Sequence, residues 1–378
     1  MRLLLIAGFL ALWPVTAAAQ ASQFGVRGLG APGRSLSARS VASGGALGMF
    51  DAESGLNPAA LGGLEVMTAT FNGAQSFRTA DNPAGSESLR SSRFPHIAFG
   101  GPVRGSPFTV GLSYSTYANR DFTVASVDTL VLRDVPVPVS DTLSSRGGLS
   151  DLRMGAAYKL RDRTVVGAAL HVITGSNRME SRRTFSDDQY LPVAQTAELS
   201  YGGVGVEIGA LQQVGASVWI AASARSDGKV IVDRDSTRVS QVDLPYALGL
   251  GLRWKPSPRL DLATSGIFRT WSGANSDLLA SGGTGADNTF EAAIGGEYIG
   301  DPRRPYRRPI RFGAHYATLP FPLEPGVQPT EFGVSIGSGV RFAQDRAGID
   351  LAVEHIWRSA GEFKERGFVV SVGVGVRP

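Results

Sequence analysis

From residue 66 to the C-terminus, apolar and polar side chains alternate in short blocks separated by turn-forming residues. The block Leu244–Lys255 shows the pattern: Leu244, Tyr246, Leu248, Leu250, Leu252 and Trp254 share one face, and Pro245, Ala247, Gly249, Gly251, Arg253 and Lys255 share the other. Successive side chains of a strand point to opposite faces, so one face is apolar and the other small or charged. The same reading applies to Asp151–Leu160, Pro309–Thr318, Ala347–Arg358 and Phe368–Val376. Extended along the chain, it predicts strands at 66–77, 93–103, 107–117, 151–160, 163–174, 199–211, 214–225, 244–255, 259–271, 289–299, 309–318, 331–342, 347–358 and 366–377. Most are close to the ~9–11 residues that a tilted strand needs to cross a bilayer.

The connections alternate in length. Tight turns are predicted at Gly105, Arg161–Asp162, Gln212–Gln213, Pro256–Pro258 and Ala343–Arg346. Between them fall long polar gaps at 78–92, 118–150, 175–198, 226–243, 272–288 and 319–330. Thr129–Leu132, in the second gap, is expected to extend a hairpin beyond the membrane. This rhythm predicts an all-β fold: a fourteen-stranded antiparallel transmembrane β-barrel with short turns on one side and long loops on the other. A soluble sandwich would also alternate, but it has no reason to segregate its long connections and would carry a polar outer surface.

Composition narrows the picture. The chain holds 48 glycines, its mean hydropathy is zero, and it has no cysteine. A barrel that exposes every second residue to lipid has such an average. The net charge of +4 is small for 378 residues and does not point to nucleic acid. Arg2, the apolar run Leu3–Leu12, Pro14 and Ala17–Ala19 read as a signal peptide over 1–19, because the run is too short to span a bilayer as a helix. Residues 20–65 do not alternate and are rich in Gly, Ala and Ser. They are expected to fold back into the lumen as a plug, ahead of a barrel at 66–378.

Several N-terminal elements resemble the FadL-type outer-membrane transporters of long-chain fatty acids and other hydrophobic compounds. Gly28-Leu29-Gly30 lies near the mature start, a small-residue stretch and the acidic pair Asp51 and Glu53 follow, and Asn57-Pro58-Ala59 stands just before the first strand. Leu244-Pro245-Tyr246 running to Pro256 is similar to a late strand of that family. The resemblance implies fourteen strands, an N-terminal hatch shaped by Asn57, Pro58 and Ala59, and passive uptake of a hydrophobic substrate across the bacterial outer membrane. Under it, ligand caught among the outer loops leaves sideways through a gap in the wall, and Phe24 contacts it. The terminal Val376-Arg377-Pro378 departs from the terminal aromatic of many outer-membrane barrels. Related barrels resembling the PorV type serve as structural partners in protein secretion or surface attachment, which is the alternative role. A general porin is a third.

Other motifs carry less. Gly28 to Gly33 spells GxGxxG, but no strand–helix unit surrounds it. His96, His171, His315 and His355 lack metal-ligand spacing, and no nucleophile elbow appears. No catalytic residue, metal or cofactor is expected, and the protein is not read as an enzyme. Inward charges of both signs are expected at Arg153, Lys159, Arg253, Lys255, Arg269, Glu291, Glu297, Arg311, Arg341, Asp350 and Glu354, salt-bridged across the wall and to the plug. The run containing Arg303, Arg304, Arg307 and Arg308 falls in a short-side turn; it suits lipid phosphates, or a periplasmic protein partner.

Overall fold

The computed structural model describes residues 22–280, 283–303 and 307–377. Fourteen strands build the wall: β1 (Thr68–Asn82), β2 (Gly85–Pro102), β3 (Phe108–Asn119), β4 (Val135–Arg161), β5 (Thr164–Phe185), β6 (Val193–Val214), β7 (Val218–Ser226), β8 (Tyr246–Ser257), β9 (Leu260–Arg269), β10 (Thr289–Tyr298), β11 (Arg307–Thr318), β12 (Thr330–Phe342), β13 (Ala347–Ala360) and β14 (Phe363–Val376). Each pairs antiparallel with the next, and β14 returns to β1 from Val376↔Ala69 to Lys364↔Asp81, closing the cylinder. Every predicted segment falls on one of these strands, in order.

The long gaps are not loops. Strand β4 has 27 residues and β5 and β6 have 22 each, about twice what a bilayer requires. Strands β1 and β2 run through the expected gap at 78–92 and meet at Asn82–Gly85. A strand at Phe122–Leu132 pairs with the first part of β4, and a hairpin of Lys229–Arg234 and Thr237–Asp243 docks on β6 through Val230↔Gly203. These extensions escaped the alternation test because water wets most of their surface, so no continuous apolar face is selected. Among the described residues, only 272–288 and 319–330 lack strand through most of their length, and the first holds a short helix, α1 (Asn275–Ala280). The turn expected at Gln212–Gln213 lies further on. Strand β6 continues to Val214, and Gly215, at φ 74°, starts the reversal.

The outer face is apolar. Leu250 is 66% exposed, Ile294 67% and Ile208 63%, which lipid and not water explains. Aromatic side chains border this band. Tyr316, Phe332 and Trp357 sit side by side on β11, β12 and β13, and Phe268 faces Phe290. Phe108, Tyr158, Trp254, Tyr298 and Phe342 mark the short-turn border. Phe332 and Phe342 are ten residues apart on one strand. At ~3.3 Å per residue and a tilt of ~40°, they bracket a band about 25 Å tall. Inward positions are small or charged, as at Gly249, Gly251 and Arg253.

Candidate functional site

Residues 22–64 run inside the cylinder and touch wall strands all the way round. Their local geometry starts from short polar caps. Ser37 Oγ accepts from Ser40 N at the start of a helical turn, Ala38–Ala42. Asn57 Oδ1 accepts from Ala59 N at 3.0 Å and caps the 3₁₀ turn Pro58–Gly63, whose first position suits proline because no N–H is needed there. The Asn57 amide donates to the carbonyls of Met49 and Ala210, tying the turn to both the segment and the wall.

This turn fits a notch made by absent side chains. Gly167 of β5 and Gly209 of β6 are paired across the ladder. A Cβ on Gly209 would run into Asn57 Oδ1, and one on Gly167 would enter the Pro58–Ala59 backbone. A second notch, the pair Gly295 and Gly313, receives Ser43. Glycine in a strand interior often marks a close backbone approach, and here it forms the seat of the N-terminal segment.

Charge then fixes the segment to the wall. Arg34 reaches Glu291 at 3.2 Å and Glu354 at 3.1 Å, and Arg39 reaches Glu297 at 3.1 Å. Glu297 also holds Arg311, which bridges to Asp350 at 2.7 Å. On the far wall Arg153 pairs with Glu207, and His171 lies between Asp151 and Glu207. Arg225 joins Asp151 to Asp227. At the segment's start, Ser22 Oγ donates to Glu365 at 2.8 Å and accepts from Arg358 at 3.0 Å.

Asp51 organises the segment itself. Its Oδ2 accepts from Ser37 Oγ at 2.5 Å, Ser40 Oγ at 2.7 Å and Ser54 Oγ at 2.9 Å. Burial pushes this carboxyl up, but the Arg39 guanidinium and the hydroxyls outweigh it and leave it below its usual value. Burial and the nearby Asp51 charge push the Glu53 carboxyl up. The signs are opposite. Asp51 stabilises the folded segment fully above the ordinary carboxylate value of 3.8, and that contribution is lost as pH falls through its depressed pKa. Glu53 gains on the same descent, because its protonated form suits the buried site. Acid is therefore expected to loosen residues 35–55 only below the ordinary Asp range. Asp51→Asn should remove that step while weakening the segment at neutral pH. Hydrogen exchange of these residues against pH, corrected for intrinsic rate, measures both; an unchanged acid step in Asp51→Asn contradicts the assignment.

One seam of the wall, between β2 and β3, is incomplete among the described residues. Strands β2 and β3 pair only from His96↔Ser115 to Pro102↔Thr109. Above that, β2 pairs with β1 alone, and a bulge between Asn72 and Ala74 sets the single residue Gly73 against two of β2. The extra length falls at Phe94–Pro95. Pro95 has no N–H to give a ladder, and Phe94 is 62% exposed, its ring 5.0 Å from Phe71. The free edge of β3 is taken by the N-terminal segment: Ala31 pairs with Asn119 and Pro32 with Ala118, and Gly33 N donates to Tyr117 O at 2.8 Å. A side-chain clasp spans the seam. Asp121 accepts from Arg93 at 2.8 Å, from the Asn119 amide at 3.0 Å and from Gly147 N at 2.6 Å.

Above the charged lumen lies an apolar lid. Leu29, Ile173, Tyr201, Val230, Val242, Leu244, Trp271, Leu278 and Phe321 form one buried cluster that joins the N-terminal segment, the 229–243 hairpin and the α1 region. Trp271 meets Phe321 edge-on at 5.2 Å. Beneath it, cavities of about 90 and 60 Å³ remain; Trp271 lines both, and its Nε1 is buried without a partner.

The structure separates the residues singled out by sequence. Asn57, Pro58 and Ala59 meet at the β5–β6 notch, whereas Gly28 and Gly30 lie at the lid and seam. Gly28 (φ 54°) abuts the Phe321 ring, and Gly30 (φ 99°) abuts the Asn119 carbonyl. Phe24 is 3% exposed, in the turn Gln23–Gly25 pinned to β14 by Gln23 Nε2 donating to Lys364 O. Arg303 and Arg308 are exposed at the short-turn rim. Residues 1–19 and Arg304 lie outside the described residues, as does the Arg307 side chain. His96, His171 and His315 are buried in the lumen, and His355 packs edge-on against Trp357 and Phe368 on the outer face. Among the described residues, no cluster of metal ligands occurs. Sequence reading missed Arg34, Arg39, Asp121 and the β2 bulge. Pro95 inside a strand segment was the available signal for the last.

The family model described as BamG matches residues 2–217. No curated protein matches the chain in sequence. Among solved structures, a FadL homologue from Pseudomonas aeruginosa superposes with a TM-score of 0.65 at 13% identity, covering 91% of this chain and 99% of that one. The toluene transporter TbuX of Ralstonia pickettii gives 0.57 at 16% identity (91% and 98% covered). The toluene transporter TodX of P. putida gives 0.57 at 13% identity (91% and 99% covered). At these identities the likeness establishes the shared barrel fold.

Proposed function

The chain belongs to the BamG family, and from that premise we propose that it is a bacterial outer-membrane channel for passive uptake of hydrophobic small molecules such as long-chain fatty acids. The short-turn rim then faces the periplasm and the long extensions face outside. Residues 22–64 act as the plug, and Asn57, Pro58 and Ala59 hold its turn in the wall. The observation that carries the reading is the seam between β2 and β3. A hydrophobic molecule taken in at the apolar lid has a short way from there to the bilayer, while the ion-paired lumen below offers it no apolar path. Phe24, buried in the turn Gln23–Gly25, becomes available to ligand only when that turn leaves β14. Two of the solved neighbours are named as toluene transporters, which supports this substrate class.

Uptake by proteoliposomes provides the test. A fluorescent long-chain fatty acid should enter faster than into protein-free vesicles, and arabinose should not. Entry of sugar alone rejects the proposal.

One observation favours a second reading, a structural partner in secretion or surface attachment. The plug is held by buried ion pairs on opposite walls, and such a core suits a fixed body as well as a gate. Co-purification with a large membrane complex, together with no fatty-acid uptake, would favour it.

A further inference from the structure

A further cavity, distinct from those beneath the lid and from the seam, opens at the short-turn end. It measures about 600 Å³, within the ~300–1,000 Å³ usual for ligand pockets. Its floor is the N-terminal segment at Ala60, Gly62 and Gly63, with Phe50 beside them. Its apolar wall is Val165, Leu211 and Trp219. Its rim carries Lys159, Arg161 and Arg163, all exposed, and none of these side chains has an ion-pair partner among the described residues. Arg253 also lines it, but Asp261 holds that guanidinium. Glu65 and Asp162 are the acidic residues of the lining, so basic charge prevails.

The placement of these cations matters. Elsewhere in the lumen, arginines on both the wall and the segment are matched to carboxylates, as Arg34, Arg39, Arg153 and Arg311 show. Three adjacent inward positions around the β4–β5 turn are left unmatched, beside an aromatic and aliphatic wall. Their strand neighbours Tyr158, Leu160 and Val166 point the other way, to the lipid side. A bilayer headgroup therefore lies across the wall from the pocket, and a soluble group can enter it from the open end. The cavity is far larger than a phosphate, and its apolar wall would go unused by a small anion.

We infer that this vestibule docks an acidic, partly apolar peptide segment of a periplasmic protein. The inference rests on the reading above for the side of the membrane alone; the pocket's chemistry is independent of it. Carboxylates of the segment would meet Lys159, Arg161 and Arg163, and an apolar side chain would lie against Trp219 and Leu211.

The test is fluorescence anisotropy on the whole detergent-solubilised protein, with a labelled peptide alternating glutamate and leucine as the probe. Salt-sensitive binding is expected, and Lys159→Gln/Arg161→Gln/Arg163→Gln should weaken it about tenfold. Arg104→Gln/Arg346→Gln, at other turns of the same rim, should leave it unchanged. Equal affinity in the triple variant overturns the inference. So does equal binding of a glutamine–leucine peptide, complete displacement by pyrophosphate at matched concentration, or loss of peptide binding in anionic nanodiscs. Access is read separately, as labelling of intact against permeabilised cells. Binding in detergent with labelling of intact cells would keep the pocket and reject the membrane orientation.

Discussion

Oxidation of a Pro32→Cys/Ala118→Cys variant is expected to slow uptake of a hydrophobic probe by about tenfold or more, and reductant should restore it. Pro32 of the N-terminal segment and Ala118 of β3 are direct antiparallel partners at the free edge beside the seam. Facing residues in such a pair have Cα atoms ~4.5–5.5 Å apart, within the range a disulfide spans. The chain has no cysteine of its own, so the only bridge formed is the intended one. The bond locks the N-terminal segment into the free edge of β3, where a departing molecule would have to displace it. Asp121→Ala acts in the opposite sense. It removes the acceptor shared by Arg93, Asn119 and Gly147 N, and uptake should rise. Full uptake by the oxidised double-cysteine protein would show that the seam is not the exit.

Gly209→Leu is expected to unseat residues 22–64. The new side chain would occupy the place of Asn57 Oδ1, so the Asn57 cap and its bonds to Met49 and Ala210 would be lost with the notch. Overpacking typically costs about 1–3 kcal/mol, and here the added atoms also meet the rigid Pro58 ring. The ladder between β5 and β6 runs through backbone groups and does not need the glycine itself, so the barrel should still form. The expected result is normal heat-modifiable migration on gels, raised single-channel conductance, and trypsin cleavage after Arg39, which is sheltered in the native protein. A folded variant that stays closed and trypsin-resistant would mean that residues 22–64 are not held by this seat.

The fourteen strands were legible because lipid imposes a strict rule. Each crossing segment must be apolar at every second residue, and runs such as Leu248, Leu250 and Leu252 record it directly. The extensions above the membrane obey no such rule. Residues 122–145 form strand and hairpin through Val- and Thr-rich pairing with water over most of their surface, and they looked like loops. The candidate site was legible in part. Asn57-Pro58-Ala59 could be marked, because a capping side chain and a proline at the first helical position leave a local signature. Its seat could not, since Gly167 and Gly209 are two glycines among 48 until the ladder pairs them. The partners of Arg34 were equally hidden, because Glu291 and Glu354 lie more than 250 residues away and chain proximity carries no hint of them.

What the sequence by itself determined is the lipid-facing side of the wall: the number of strands, their order, and which rim carries the short turns. Those follow from local periodicity and turn chemistry, which any stretch of ten residues displays. What only the tertiary structure decided is the interior. The glycine notches, the ion pairs between segment and wall, the unpaired seam beside Pro95 and the basic vestibule all join residues that the closed cylinder, and nothing nearer in the chain, brings within reach.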